Sequence, residues 1–215
     1  MHLCGRLIVT SLSLTHLNRV QMYDKNILSN DKIADIVAIL QTGGLILYPT
    51  DTIWGIGCDA TNAEAVAKVY ALKERDSSKG LILLVDSIEM LSDYVEHIHP
   101  KIDTLLQFHQ RPLTIVYNKG KNLPENVTAP DGSVAIRVTH DPFCKDIIHQ
   151  FGKPIVSTSA NLSDEPWPKN FGNINFDIIR GVNYVVKFRQ EDKKAGEPSV
   201  IVRLNSDEEL DYIRE

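Results

Sequence analysis

Three cations fall within the seven residues Lys73-Glu74-Arg75-Asp76-Ser77-Ser78-Lys79, directly ahead of the apolar run Leu81-Ile82-Leu83-Leu84-Val85. This mixture suits a polyphosphate, because a guanidinium offers a planar fork to two oxygens while an ammonium acts as a point charge. Cations at a helix end are also stabilising through the helix dipole alone, so the cluster by itself supports either use. Two hydroxyl-rich segments accompany it. In Tyr48-Pro49-Thr50-Asp51-Thr52-Ile53-Trp54-Gly55 an apolar run stops abruptly at Thr50 and Thr52. In Pro154-Ile155-Val156-Ser157-Thr158-Ser159-Ala160-Asn161-Leu162-Ser163 the same pattern yields four hydroxyl residues and one amide within seven positions. Neutral donors of this kind suit phosphate oxygens, ribose or an amino-acid head group, and equally serve ordinary turns. Thr114 and Arg137 stand within the apolar runs Leu113 to Tyr117 and Ser133 to Val138. An arginine in such a strand requires an anionic partner or solvent, and a structural salt bridge would satisfy it as well as a ligand.

These groups need strands that end together. Leu45 to Tyr48 reads as a short buried strand, preceded by the helix breaker Gly43-Gly44 and closed by Pro49, which cannot donate a ladder hydrogen bond. Ser29-Asn30-Asp31 offers a cap for a helix carrying Ile33, Ile36, Val37 and Leu40, and Asn62 begins a second helix carrying Ala65, Val66, Val69, Tyr70 and Leu72. Gly80 to Val85 is the next strand. Strand, helix and strand within about 40 residues predict one partly parallel sheet, with ligands collecting beyond its strand ends. Further strands are predicted at 113–117, 133–138, 154–157, 183–186 and 199–203, and helices within 88–95, 102–109 and 142–151. Pro142 suits a first helical turn. Residues 120–132, 164–175 and 190–198 read as loops.

At 215 residues and 43% hydrophobic the chain has the makings of a soluble α/β protein with a proper core. Its net charge of −5 argues against binding nucleic acid through a generally cationic surface, while leaving room for a local basic pocket. Cys4, Cys58 and Cys144 are widely spaced, which disfavours a disulfide framework or a zinc site and points to a reducing cytoplasmic setting. Cys58, close to the first hydroxyl loop, reads as a small core residue rather than a nucleophile. Residues 1–21 are apolar but interrupted, resembling neither a secretory signal nor a membrane span, and are expected to be an extension ahead of a single domain at 22–215. The usual phosphate fingerprints Gly-x-x-x-x-Gly-Lys-Ser/Thr and Gly-x-Gly-x-x-Gly are absent. The residues reach an α/β protein with a cationic, hydroxyl-rich anion site and leave its reaction open.

Taken together, the segment 48–55, Leu72-Lys73-x-Arg75, Pro112-Leu113-Thr114, Ala135-Ile136-Arg137-Val138 and the segment 157–163 resemble the YrdC-type threonylcarbamoyl-AMP synthases, in the family's order, from about Ile27 onward. The resemblance implies a twisted mixed α/β sheet with flanking helices and a large cationic cavity. It implies conversion of L-threonine, bicarbonate and ATP, with magnesium carried by the nucleotide, to threonylcarbamoyl-adenylate and pyrophosphate. The intermediate would pass to downstream transfer proteins that make N6-threonylcarbamoyladenosine in tRNA, and weak binding of tRNA or double-stranded RNA would accompany this. On that resemblance Lys73, Arg75, Ser159 and Asn161 are catalytic, and Thr50, Thr52, Lys79, Thr114, Arg137, Ser157, Ser199 and Arg214 bind substrate. No protein-held metal and no membrane contact are expected. Four positions depart from the family pattern: Trp54 replaces a Tyr, Lys79-Gly80 replaces a cation-or-His then Pro pair, Val200 replaces a Thr, and Trp167 replaces a Ser or Thr. The end at Glu215 suggests the short form, without an additional C-terminal domain. The alternative is a related nucleotide or double-stranded RNA binder, or a carbamoyl-transfer domain resembling those of hydrogenase-maturation proteins.

Overall fold

The computed structural model describes residues 31–77, 79–193 and 195–214. The extension expected over residues 1–21 and the Ser29-Asn30 part of the first cap lie outside the described residues. Helix α1 spans Ile33–Gln41 and is preceded by Lys32, which makes no side-chain cap. Asp31 does not cap α1 either. Its carboxylate accepts from the Lys187 and Phe188 amides at 2.7 and 2.8 Å and from the Tyr184 hydroxyl at 2.8 Å. It therefore fastens the start of α1 to a segment more than 150 residues away, which corrects the predicted local role.

The strands are β1 (Ile46–Tyr48), β2 (Gly55–Gly57), β3 (Ile82–Val85), β4 (Leu113–Tyr117), β5 (Val134–Val138), β6 (Ile155–Val156), β7 (Thr158–Ser159), β8 (Tyr184–Val185), β9 (Val200–Leu204) and β10 (Leu210–Arg214). The helices after α1 are α2 (Ala63–Lys73), α3 (Ile88–Tyr94), α4 (Pro100–Phe108), α5 (Pro142–Phe151) and α6 (Phe176–Gly181), with a short 3-10 turn at Phe171–Asn173. Asn62 caps α2 by accepting from the Glu64 and Ala65 amides, as its type and position predict, and Pro142 opens α5.

The mixed α/β class holds, but the strands form two mixed sheets instead of one. The first has the order β7-β2-β1-β8 and the second β10-β9-β4-β5-β3-β6. The predicted crossover from β1 to β3 within one sheet is corrected: β1 turns back into the antiparallel β2, and β3 pairs with the parallel β5 in the other sheet. The single strand expected at 154–157 is two short ones, β6 pairing β3 and β7 pairing β2. The chain thus crosses between sheets at Ser157, whose amide donates to the Ile82 carbonyl at 2.7 Å.

Alternation along the strands divides the core in two. Leu47, Leu83 and Val85 face one apolar cluster with Val66, Val69, Ile115 and Tyr117. Ile46, Tyr48 and Leu84 face a second one, filled by Ile36 and Leu40 of α1 and Ile147 and Ile148 of α5. Burial on both faces explains why β1 and β3 read as unbroken apolar runs. Gly57 is required where the Tyr48 ring lies over β2, since a Cβ there would sit 2.8 Å from that ring and 3.0 Å from the Val156 carbonyl.

Candidate active site

The end of α2 turns inward. Lys73 is only 1% exposed, and its ammonium donates to the Ser159 carbonyl at 2.5 Å and the Asn161 carbonyl at 2.6 Å. In return the Lys73 carbonyl accepts from the Ser163 amide at 2.8 Å. Burial, and then the neighbouring Arg75 charge, pull the Lys73 ammonium down to about 7. The helix ends on Glu74 in the left-handed conformation, φ 51°, which swings Arg75 away from the helix axis. Its Nε and Nη2 donate to the Lys79 and Gly80 carbonyls at 3.3 and 3.1 Å. These bonds hold the guanidinium in place beside a cavity.

The loop between β1 and β2 is a closed hydroxyl network. The Thr50 hydroxyl donates to the Ile53 carbonyl at 2.8 Å and accepts from the Thr52 amide at 3.0 Å. With its proton so committed, it must accept from the Thr52 hydroxyl, 2.8 Å away. Thr52 Oγ1 in turn accepts from Arg137 Nη1 at 3.0 Å, and Arg137 Nη2 lies 3.3 Å from Asp51 Oδ1. Arg137, in an apolar strand, is thereby partnered by a loop from the other sheet. A third cluster closes the same space. Thr114 of β4 and Ser199, the residue just before the parallel β9, share a buried hydroxyl contact of 2.8 Å, and Arg214 donates to the Ser199 carbonyl at 2.9 Å and its hydroxyl at 3.2 Å. Burial and then the nearby Arg137 charge lower the Arg214 guanidinium below its ordinary value.

Two cavities meet at this point. The smaller, about 300 Å³, lies between the sheets and is lined by Arg75, Arg137, Arg214, Ser157, Ser159 and Ser199 among others, with no acidic residue in its wall. The larger, about 650 Å³, opens beyond the strand ends and is lined by residues including Thr50, Asp51, Arg111, Lys169, Arg189 and Glu197. Thr52, Ile53 and Pro198 belong to both. Segment 195–198 runs over the loop here, and the contact is close: a Cβ on Gly196 would lie 1.7 Å from the Thr52 carbonyl oxygen.

Of the residues singled out from sequence, Thr52, Arg75, Arg137, Ser157, Ser159, Ser199 and Arg214 line the smaller cavity, and Thr50 the larger one alone. Lys73, Thr114 and Asn161 stand behind the walls. Thr114 is fully buried, and the Asn161 amide donates to the Leu162 and Glu165 carbonyls at 3.0 and 2.6 Å. Lys79 is exposed at the rim, 3.5 Å from Asp164. Asp51, the carboxylate between the two threonines, is not among the predicted site residues, and it lines the larger cavity and pairs with Arg137. Trp54 packs against Phe171 at 4.9 Å between ring centroids and closes the loop from below. Trp167 is half-exposed and lines neither cavity. Cys58 is buried, and burial pushes its thiol well up, as a core residue requires. Among the described residues, no group of three His, Cys, Asp or Glu side chains is placed to hold a metal ion, and no helix is long and apolar enough to cross a membrane.

The family model Sua5_yciO_yrdC, described as "Telomere recombination", matches residues 38–215. The chain belongs to the Sua5/YciO/YrdC family. Among its relatives in the family, the threonylcarbamoyl-AMP synthase of Pseudoalteromonas translucida is 39% identical over 157 residues, covering 72% of this chain and 84% of the relative. That of Klebsiella pneumoniae is 36% identical over 150 residues, covering 66% and 76%. Sua5 of P. abyssi, solved in complex with L-threonine, superposes with a TM-score of 0.71 at 25% identity. That match covers 80% of this chain and 50% of the Sua5 chain, so this family member spans about half the length of that protein. The fold is also that of E. coli YciO, with a TM-score of 0.74 at 21% identity over 85% of this chain and 88% of the other.

Proposed function

We propose that this protein is a threonylcarbamoyl-AMP synthase, consuming L-threonine, bicarbonate and ATP for the N6-threonylcarbamoylation of adenosine in tRNA. The observation that carries the reading is the small cavity walled by three guanidiniums and three serines, in a chain 39% identical to a protein of that name. The ammonium group of threonine first gives up a proton, and the resulting amine condenses with bicarbonate to a carbamate, releasing water. A carbamate oxygen then attacks the α-phosphorus of ATP, the bond to the bridging oxygen breaks, and pyrophosphate leaves. Such a displacement requires positioning and charge stabilisation far more than covalent help from the protein.

Arg75 and Arg137 face the space where charge accumulates on phosphate oxygens, and Ser157 and Ser159 supply neutral donors on the facing sheet. Lys73 acts at one remove. By gripping the Ser159 and Asn161 carbonyls it fixes the loop that carries Ser159. Arg214 and Thr114 orient Ser199. Magnesium would arrive on the triphosphate and neutralise its charge. The product would be handed to the proteins that transfer the threonylcarbamoyl group to tRNA. The test is pyrophosphate release from ATP by the full chain, with threonine and bicarbonate omitted in turn. Release that requires both is expected, and release unaffected by omitting threonine would overturn the reading.

A further inference from the structure

We propose that a separate cavity, on the opposite face of the second sheet from the active site, binds an adenine ring. It measures about 270 Å³ and lies between the start of α4, the segment 96–99 and the carboxyl ends of β4 and β9. Alternation along the strands sets the two sites apart. Ile115 and Tyr117 of β4 and Leu204 of β9 line this cavity, Ile201 lines the smaller active-site cavity, and Val116 alone stands in the wall of both. The parallel pair β4 and β9 ends here, and ligands of α/β sheets collect beyond such ends.

The walls are tied in place on both sides. The Glu96 amide donates to the Lys119 carbonyl at 3.1 Å, fixing segment 96–99 to the end of β4, and the Lys101 ammonium donates to the Glu208 carbonyl at 3.0 Å, fixing α4 to the turn after β9. The acids of the rim are each paired with a lysine, Glu96 with Lys119 at 3.0 Å and Glu208 with Lys101 at 2.9 Å. With its charges compensated in this way the cavity favours neither an anion nor a cation, and its occupant is uncharged. Ligand pockets usually run to about 300–1,000 Å³, so this one takes a ring and its near substituents, with any sugar or chain left outside.

The polar groups that remain decide which ring. Ile102, Ile115 and Leu204 give an apolar lining, and the exposed His97 ring, set edge-on to His99 at 6.3 Å between centroids, offers a surface for stacking. The Asn118 carboxamide is exposed at the rim and makes no hydrogen bond among the described residues. It presents a donor and an acceptor side by side, the complement of the N6 and N7 edge of adenine. The Tyr117 hydroxyl is buried without a partner, and burial pushes the phenol well above its ordinary value, so it stays a donor that a ring nitrogen would satisfy. Buried polar side-chain atoms are nearly always partnered, and an exception in a cavity wall points to a group that enters from outside. Stacking on a ring combined with bonds to the base edge is how unpaired bases are recognised.

The experiment is titration of the full chain with adenosine and, separately, with a short single-stranded oligoadenylate, following the imidazole resonances of His97 and His99 by NMR. No histidine lines either active-site cavity, so these signals report this site and not adenosine bound at the other. Saturable shifts of both resonances are expected, with the adenosine midpoint raised about tenfold in Asn118→Ala. Tyr117→Phe is expected to weaken adenosine as well, while leaving the urea midpoint of the ligand-free protein level or higher, because the hydroxyl it removes has no partner. An oligoadenylate midpoint well below that of adenosine assigns the ring to an RNA strand, and an equal or higher one assigns it to the free nucleoside; both support the site. Absence of any shift with adenosine and oligoadenylate alike, or equal midpoints in wild type and Asn118→Ala, overturns the proposal. A lowered urea midpoint in ligand-free Tyr117→Phe would show the hydroxyl to be partnered already and overturn its part in recognition.

Discussion

The Lys73 ammonium donates to the Asn161 carbonyl at 2.6 Å, joining the end of α2 to a loop 88 residues further along the chain. A lysine so buried costs most when charged, and its two carbonyl partners are what make the position tenable. The folded protein holds its proton less tightly than the unfolded chain, about 7 against the ordinary 10.5. Between those values the unfolded state binds more protons, so the Lys73 contribution to stability rises with pH through this window and is smallest below it. The unfolding free energy of wild type minus that of Lys73→Met, measured in urea, is expected to climb from pH 7 to pH 10. A difference that stays flat would show that burial does not depress this group.

Arg75 offers a cleaner separation of chemistry from folding. It is only partly buried, and its hydrogen bonds go to carbonyls of the adjoining turn. In Arg75→Ala, pyrophosphate release should fall about 100-fold or more, as when a charge-stabilising donor is lost. Unfolding free energy should move by no more than about 0.5 kcal/mol. An active variant would remove Arg75 from the site.

Gly196 is constrained by the approach of its backbone to the Thr52 carbonyl, where a Cβ would stand at 1.7 Å. Gly196→Ala must push segment 195–198 off the loop, at a cost of about 1–3 kcal/mol if the contact is otherwise kept. Faster trypsin cleavage at the exposed Lys193 and a raised KM for threonine are the expected signs. Unchanged digestion together with unchanged KM would contradict the close contact.

Thr114 and Ser199 share a fully buried hydroxyl pair, and Ser199 retains Arg214 as a second partner. A double-mutant cycle of Thr114→Val with Ser199→Ala should give a coupling of about 0.5–1.5 kcal/mol in denaturant unfolding. A coupling of zero would mean that the two hydroxyls do not interact in solution. Neither substitution removes a guanidinium, so KM for ATP should change more than kcat.

Much of this was legible in the chain. The apolar runs at β1, β3, β4 and β5, the Asn62 cap and the proline opening α5 all follow from local preference, because each is set by near neighbours. Local pattern does not predict the strands β2, β7 and β10. β2 is Gly-Ile-Gly and β7 is Thr-Ser, too short or too poor in β-forming residues to stand out, and only pairing makes them strands. Asp31 differs for a related reason: a carboxylate just before a helix suggests a cap, and its actual partners lie in and just past β8, beyond the reach of any local pattern.

The types of residue at the site were determined by sequence alone: cations at the end of one helix, hydroxyls at two strand ends, an arginine in an apolar strand. The tertiary structure decided their division of labour. Folding the strands into two sheets placed Arg75, Arg137 and Arg214 around one space and sent Lys73, Thr114 and Asn161 behind its walls. It also spent the Thr50 and Thr52 protons within their own loop and set Asp51 3.3 Å from Arg137. The physical reason is that a side chain's chemistry is carried by its type, whereas its availability depends on hydrogen bonds and burial imposed by residues distant in sequence.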